Sequence, residues 1–188
     1  MVWTIIILVG LLLDQVSKLV AQNHLASGGA VSVIGEFFVL EYHVNTGAAW
    51  SFLANQTWGI YVLSAISVGA CVLFVYWLLK IKDRRVRFCL SLIISGTAGN
   101  MIDRIFRGGV IDFLSFRFGQ YQFPIFNVAD SILVVGIALL LISLLFTDSK
   151  RLLQEDRPDG DADADRTGLS TKGRSKEAEC EEGTHGVD

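Results

Sequence analysis

The sequence predicts a membrane all-α bundle of four transmembrane helices with a small β element on its outer face and both termini in the cytoplasm. Three observations carry this. Four apolar segments are long enough to cross a bilayer, Lys and Arg crowd one short connection between them, and part of the first long connection alternates like a strand. The 188 residues are 52% hydrophobic with mean hydropathy +0.48. Apolar runs of this length mark a membrane protein rather than a soluble core, and nucleic acid is not expected as a partner. The net charge of −3 hides a division: residues 148–188 hold 12 acids and 7 bases, whereas residues 1–147 hold 7 acids and 9 bases.

The first apolar segment is Val2–Ala21, close to the ~20 residues a spanning helix needs. It lacks a basic leader and carries Asp14 and Lys18, so a cleavable signal peptide is not expected. In the connection that follows, Leu40, Tyr42 and Val44 alternate with Glu41 and His43, a strand pattern. Glycines 28, 29, 35 and 47 punctuate an outer β region over about 28–56. The second segment is Trp58–Leu79. Lys80, Lys82, Arg84, Arg85 and Arg87 then place five bases in eight residues, and Lys150 and Arg151 follow the last segment. Basic short loops face the cytoplasm, which sets the orientation.

The third segment is Phe88–Ile105, where Gly96, Ala98 and Gly99 would let helices approach closely. The connection Phe106–Asn127 carries Phe113, Phe116, Phe118, Tyr121 and Phe123. These rings suit the headgroup level as anchors, or touch a substrate. The fourth segment is Val128–Phe146. Residues 148–188 hold few large apolar side chains and are expected to form a disordered cytoplasmic tail without catalytic duty. The transmembrane domain is therefore expected over 1–147.

Four of the seven acids in that domain, Asp14, Asp103, Asp112 and Asp130, lie within or beside the apolar segments. A charge in a bilayer costs at least ~2.5–3.5 kcal/mol, so an intramembrane carboxylate marks a functional site by default. Asp112 and Asp130 both fall near the outer ends of segments. Two carboxylates a few ångströms apart share a proton, so one can accept a proton from water while the other polarises a carbonyl. The competing reading makes Asp130 a helix-start carboxylate and pairs Asp112 with an arginine. Asp103 and Arg107 are i,i+4 neighbours, as are Asn100 and Arg104, which suits a structural role for Asp103. Asp14 and Lys18 share the same spacing, with Lys18 expected to snorkel outward; they either pair or orient a substrate. Asn45 can bond an extended peptide, and Gly47 allows an unusual turn. The three cysteines and three histidines show no metal-ligand spacing.

Five blocks, Asp14–Lys18, Asn45–Trp50, Gly99–Arg104, Val110–Phe113 and Phe126–Ser131, come in the order and composition of lipoprotein signal peptidase, or signal peptidase II. The chain resembles that family over about residues 1–147. The resemblance implies an aspartic protease of the bacterial cytoplasmic membrane, a four-helix bundle with an outward β-cradle. It implies removal of the signal peptide from prolipoproteins just before a cysteine bearing diacylglycerol. The dyad maps onto Asp112 and Asp130, with Asn100, Arg104 and Asn127 supporting dyad or substrate, and Asp14, Lys18 and Asn45 positioning substrate and stabilising the site. No metal or other cofactor is implied. The expected partners are diacylglyceryl-prolipoproteins, membrane lipid and globomycin-type cyclic peptide inhibitors, and a monomer suffices. Two other classes fit the bare residues less well. A proton-coupled transporter would use intramembrane carboxylates but should show repeats and carboxylates at differing depths. A noncatalytic scaffold would tolerate Asp→Asn at either dyad position.

Overall fold

A computed structural model of the chain describes residues 1–47 and 58–146; the expected tail and the end of the Asn45–Trp50 block lie outside them. Four helices, α1 (Val2–Leu25), α2 (Gly59–Lys80), α3 (Arg84–Arg107) and α4 (Val128–Phe146), accompany β1 (Val31–Ile34), β2 (Phe38–Asn45), β3 (Val110–Phe118) and β4 (Tyr121–Gln122). By length and composition α1, α2 and α4 are apolar enough to cross a membrane. The fourth helix, α3, departs from that pattern for a physical reason. It packs on each of the other three, and its buried residues include Ser91, Ser95, Asn100 and Asp103. A helix walled by protein can carry polar groups that a lipid-facing helix cannot.

The helix also outruns its apolar stretch. Asp83 caps it, its Oδ1 accepting from the backbone N–H of Arg85 (2.7 Å) and Val86 (3.1 Å), so the helix begins within the basic run. At the other end Gly108, with φ 70°, takes the left-handed C-cap conformation. The chain thereby reverses directly into β3.

The sheet is antiparallel in the order β1-β2-β3-β4. The expected alternation around Leu40–Val44 falls in β2. The connection 106–127, read from the sequence only as a bearer of aromatic rings, contains the strand β3. Its register pairs His43 with Asp112, Val44 with Ile111 and Asn45 with Val110. Ile111 and Phe113 bury against Ala21 and Leu25 of α1, so the two-residue strand period turns Asp112 to the opposite side. The rings largely pack on each other. Phe116 stacks on Phe38 (4.6 Å) and Phe126 (5.7 Å), and Phe37 meets Phe116 and Phe118 edge-on. Phe118, Tyr121 and Phe123 remain exposed.

Candidate active site

Asn127 begins the site. It caps α4, and its Oδ1 accepts from the N–H of Asp130 (2.9 Å) while Asp130 Oδ2 accepts from the N–H of Asn127 (3.2 Å). This reciprocal box satisfies N–H groups that a helix start leaves open. Asp130 is therefore a helix-start carboxylate, but the box engages only one of its oxygens. The other, Oδ1, accepts from Asn100 Nδ2 at 2.7 Å. Asn127 then reaches Asp112: its Nδ2 donates to Asp112 Oδ1 at 2.6 Å and to Asn100 Oδ1 at 3.1 Å. Asn45 Nδ2 donates to Asp112 Oδ2 at 3.1 Å, and Asn45 Oδ1 accepts from the N–H of Gly47 at 2.9 Å. The two carboxyl groups are thus joined through one fully buried amide and held by three asparagines.

Asp112 is 3% exposed. Burial, reinforced by the charge of Asp130, pushes its carboxyl from 3.8 up to about 6, against the lowering pull of Asn45, Asn127 and Lys18. A carboxyl in that range gains and loses a proton at modest cost, as acid/base work requires.

Behind the pair lies a second cluster. Lys18 Nζ sits 2.9 Å from Asp14 Oδ2 and 2.8 Å from Asp103 Oδ2, with all three residues fully buried. Arg107 also pairs with Asp103 through its Nη1. The expected snorkelling of Lys18 is corrected: an inward ammonium finds two carboxylates and donates to Asn100 Oδ1 at 3.0 Å, which offsets its desolvation. That last bond fixes the Asn100 amide with its oxygen toward Lys18 and its nitrogen toward Asp130. Asp14 Oδ1 accepts from the N–H of Ala129 (2.9 Å), and Asp103 Oδ2 from that of Ile111 (3.3 Å). The cluster therefore holds both the start of α4 and the start of β3. Gly99 leaves room for it, since a Cβ there would lie 2.5 Å from Asp14 Oδ2.

The candidates from the sequence thus converge on one region. Arg104 differs in detail: its Nη1 donates to the Asn100 backbone carbonyl at 3.4 Å, while its charge acts on Asp130, Asp112 and Asp103. Gln15 was missed. Its Nε2 donates to Asp14 and Asp103, and its Oε1 accepts from Arg107 at 2.9 Å. Its polarity amid an apolar run, one residue from Asp14, was the available signal.

Two amide-held carboxyls, one on β3 and one at the start of α4, beside helices apolar enough to cross a membrane, suit the chemistry of an aspartic peptidase. The comparisons narrow that class. The family model described as signal peptidase (SPase) II matches residues 6–146. A lipoprotein signal peptidase of Bacillus pumilus is 41% identical, the match covering 80% of this chain and 96% of that protein. One of Halalkalibacterium halodurans is 39% identical, covering 80% and 96%. A solved bacterial membrane enzyme structure obtained by the in meso method superposes with TM-score 0.68 at 30% identity, covering 84% of this chain and 93% of that one. The chain belongs to the signal peptidase II family.

Proposed function

We propose that this protein removes the signal peptide from diacylglyceryl-modified prolipoproteins, cutting just before the lipid-bearing cysteine, with Asp112 and Asp130 as its catalytic pair. The observation that carries this reading is the Asn127 amide, which joins Asp112 to the capping box of Asp130. In the reaction one carboxylate takes a proton from water as the water oxygen attacks the scissile carbonyl carbon, and the other, protonated, gives its proton to the carbonyl oxygen. The tetrahedral adduct then collapses. The C–N bond breaks, the departing nitrogen takes the proton first drawn from water, and the hydroxyl proton of the adduct returns to the pair. Asn45, Asn100 and Asn127 orient the carboxyls, and Arg104 offers positive charge toward the oxyanion.

In this reading α3 is the fourth membrane-crossing helix, both termini face the cytoplasm, and the pair lies at the outer face of the cytoplasmic membrane. The acyl chains then remain in lipid while water reaches the scissile bond at the interface. A monomer contains every group named, and a globomycin-type cyclic peptide competes for the same site.

The test is a gel-shift assay in detergent, with diacylglyceryl-prolipoprotein as substrate and a chelator throughout. Wild type should cleave. Asp112→Asn and Asp130→Asn should each lose about a thousandfold or more. Substantial turnover by either folded variant would remove the pair from its role.

A further inference from the structure

At the end of the bundle remote from the carboxyl pair, the α2–α3 turn gathers Lys80, Lys82, Arg84, Arg85 and Arg87 around a single acid, Asp83. That acid is turned to backbone capping. Lys80, Arg84, Arg85 and Arg87 enter no ion pair among the described residues. Lys80, Arg84 and Arg85 are exposed. Arg87 is half-buried, with its guanidinium over the Trp3 ring at 5.2 Å, and its Nε has no acceptor among the described residues. Lys80 lies over the Tyr76 ring at 5.8 Å. Beneath the charges Leu78, Val86, Leu90 and Ile94 pack with Trp3, Ile81 and Leu140, so all four helices meet here. Exposed Tyr76, Trp77 and Leu79 continue the apolar surface to the same level.

We infer that this end is a binding site for the phosphodiester headgroup of anionic phospholipid. A count of bases would suffice to orient the chain. The aromatic seats for Lys80 and Arg87 add something further: two cations held beside rings at the depth where phosphates lie. Clusters of four to eight bases beside a membrane helix attract anionic headgroups with about 1 kcal/mol each, near fivefold per charge. The exposed Tyr76, Trp77 and Leu79 beside the bases offer acyl chains an apolar surface, which commits the site to lipid rather than to free phosphate.

The test uses the full chain in detergent, stripped of lipid and offered equimolar dioleoyl phosphatidylglycerol and phosphatidylcholine, with retained lipid read by native mass spectrometry. Phosphatidylglycerol should be retained preferentially. The surface variant K80Q/R84Q/R85Q should lose that preference by roughly a hundredfold while still cleaving substrate in detergent. Arg87→Gln should weaken it separately, and Arg117→Gln, a base on the sheet, should leave it unchanged. Equal retention of the two lipids, the same preference in K80Q/R84Q/R85Q, an equal loss in Arg117→Gln, or displacement by equimolar inorganic phosphate would each overturn the inference.

Discussion

Asp14 and Asp103 are neutralised by cations, whereas Asp112 and Asp130 are held by amides. Lys18 lies within 2.9 Å of both members of the first pair, and Arg107 joins Asp103. The second pair receives its N–H groups from Asn45, Asn100 and Asn127. A cation paired with a buried carboxylate offsets its desolvation, which serves a scaffold. A neutral amide orients a carboxyl and leaves its proton exchangeable, which serves chemistry. On the proposed reading the same side chain takes two roles, decided by what donates to it.

The largest change should follow from removing the cation. Lys18→Met leaves buried Asp14 without its cation and Asp103 with Arg107 alone, and should cost about 3–5 kcal/mol, read as a lower unfolding midpoint in detergent. An unchanged midpoint would mean the cluster does not hold the fold. Next, Gly99→Ala forces a Cβ against Asp14. Overpacking of this kind costs about 1–3 kcal/mol, and the loss should shrink when combined with Lys18→Met, since both strain one cluster.

The pH response of the second pair sharpens the contrast. Asp112 is raised from 3.8 to about 6, so between those values the folded state holds a proton that the unfolded state has released. Stability should therefore fall as pH rises across that window, and the full cost is present above it. Asp112→Asn lacks this ionisation, so the stability of wild type relative to the variant should decline from about pH 4 to pH 6. A pH-independent difference would contradict the raised carboxyl. The smallest effect is expected at the partly exposed Glu41–Arg117 pair, separated by 3.5 Å. Glu41→Gln should change stability by under about 1 kcal/mol and leave cleavage unaltered.

Much of this was legible in the chain because apolar period and charge are local properties. The helices follow the long apolar runs, and the strand alternation at Leu40–Val44 follows the two-residue period. The pairing of Asp103 with Arg107 follows helix spacing. The burial of Lys18 was not legible, because its second carboxylate arrives from α3, 85 positions along the chain. Nor was β3: Val110–Phe118 is buried at its start on both faces, so polarity does not alternate there, and its strand character depends on pairing with β2. The joining role of Asn127 required the fold as well, although its place three residues before Asp130 signalled the capping box.

The contrast between the two pairs is tested most directly by placing Asp14→Asn, Asp103→Asn, Asp112→Asn and Asp130→Asn side by side. For each, the unfolding midpoint and the turnover per folded molecule would be measured on diacylglyceryl-prolipoprotein. The account predicts lower midpoints with residual turnover for the first two, and near-normal midpoints with turnover abolished for the last two. A folded Asp103→Asn without activity, beside an active Asp112→Asn, would contradict it.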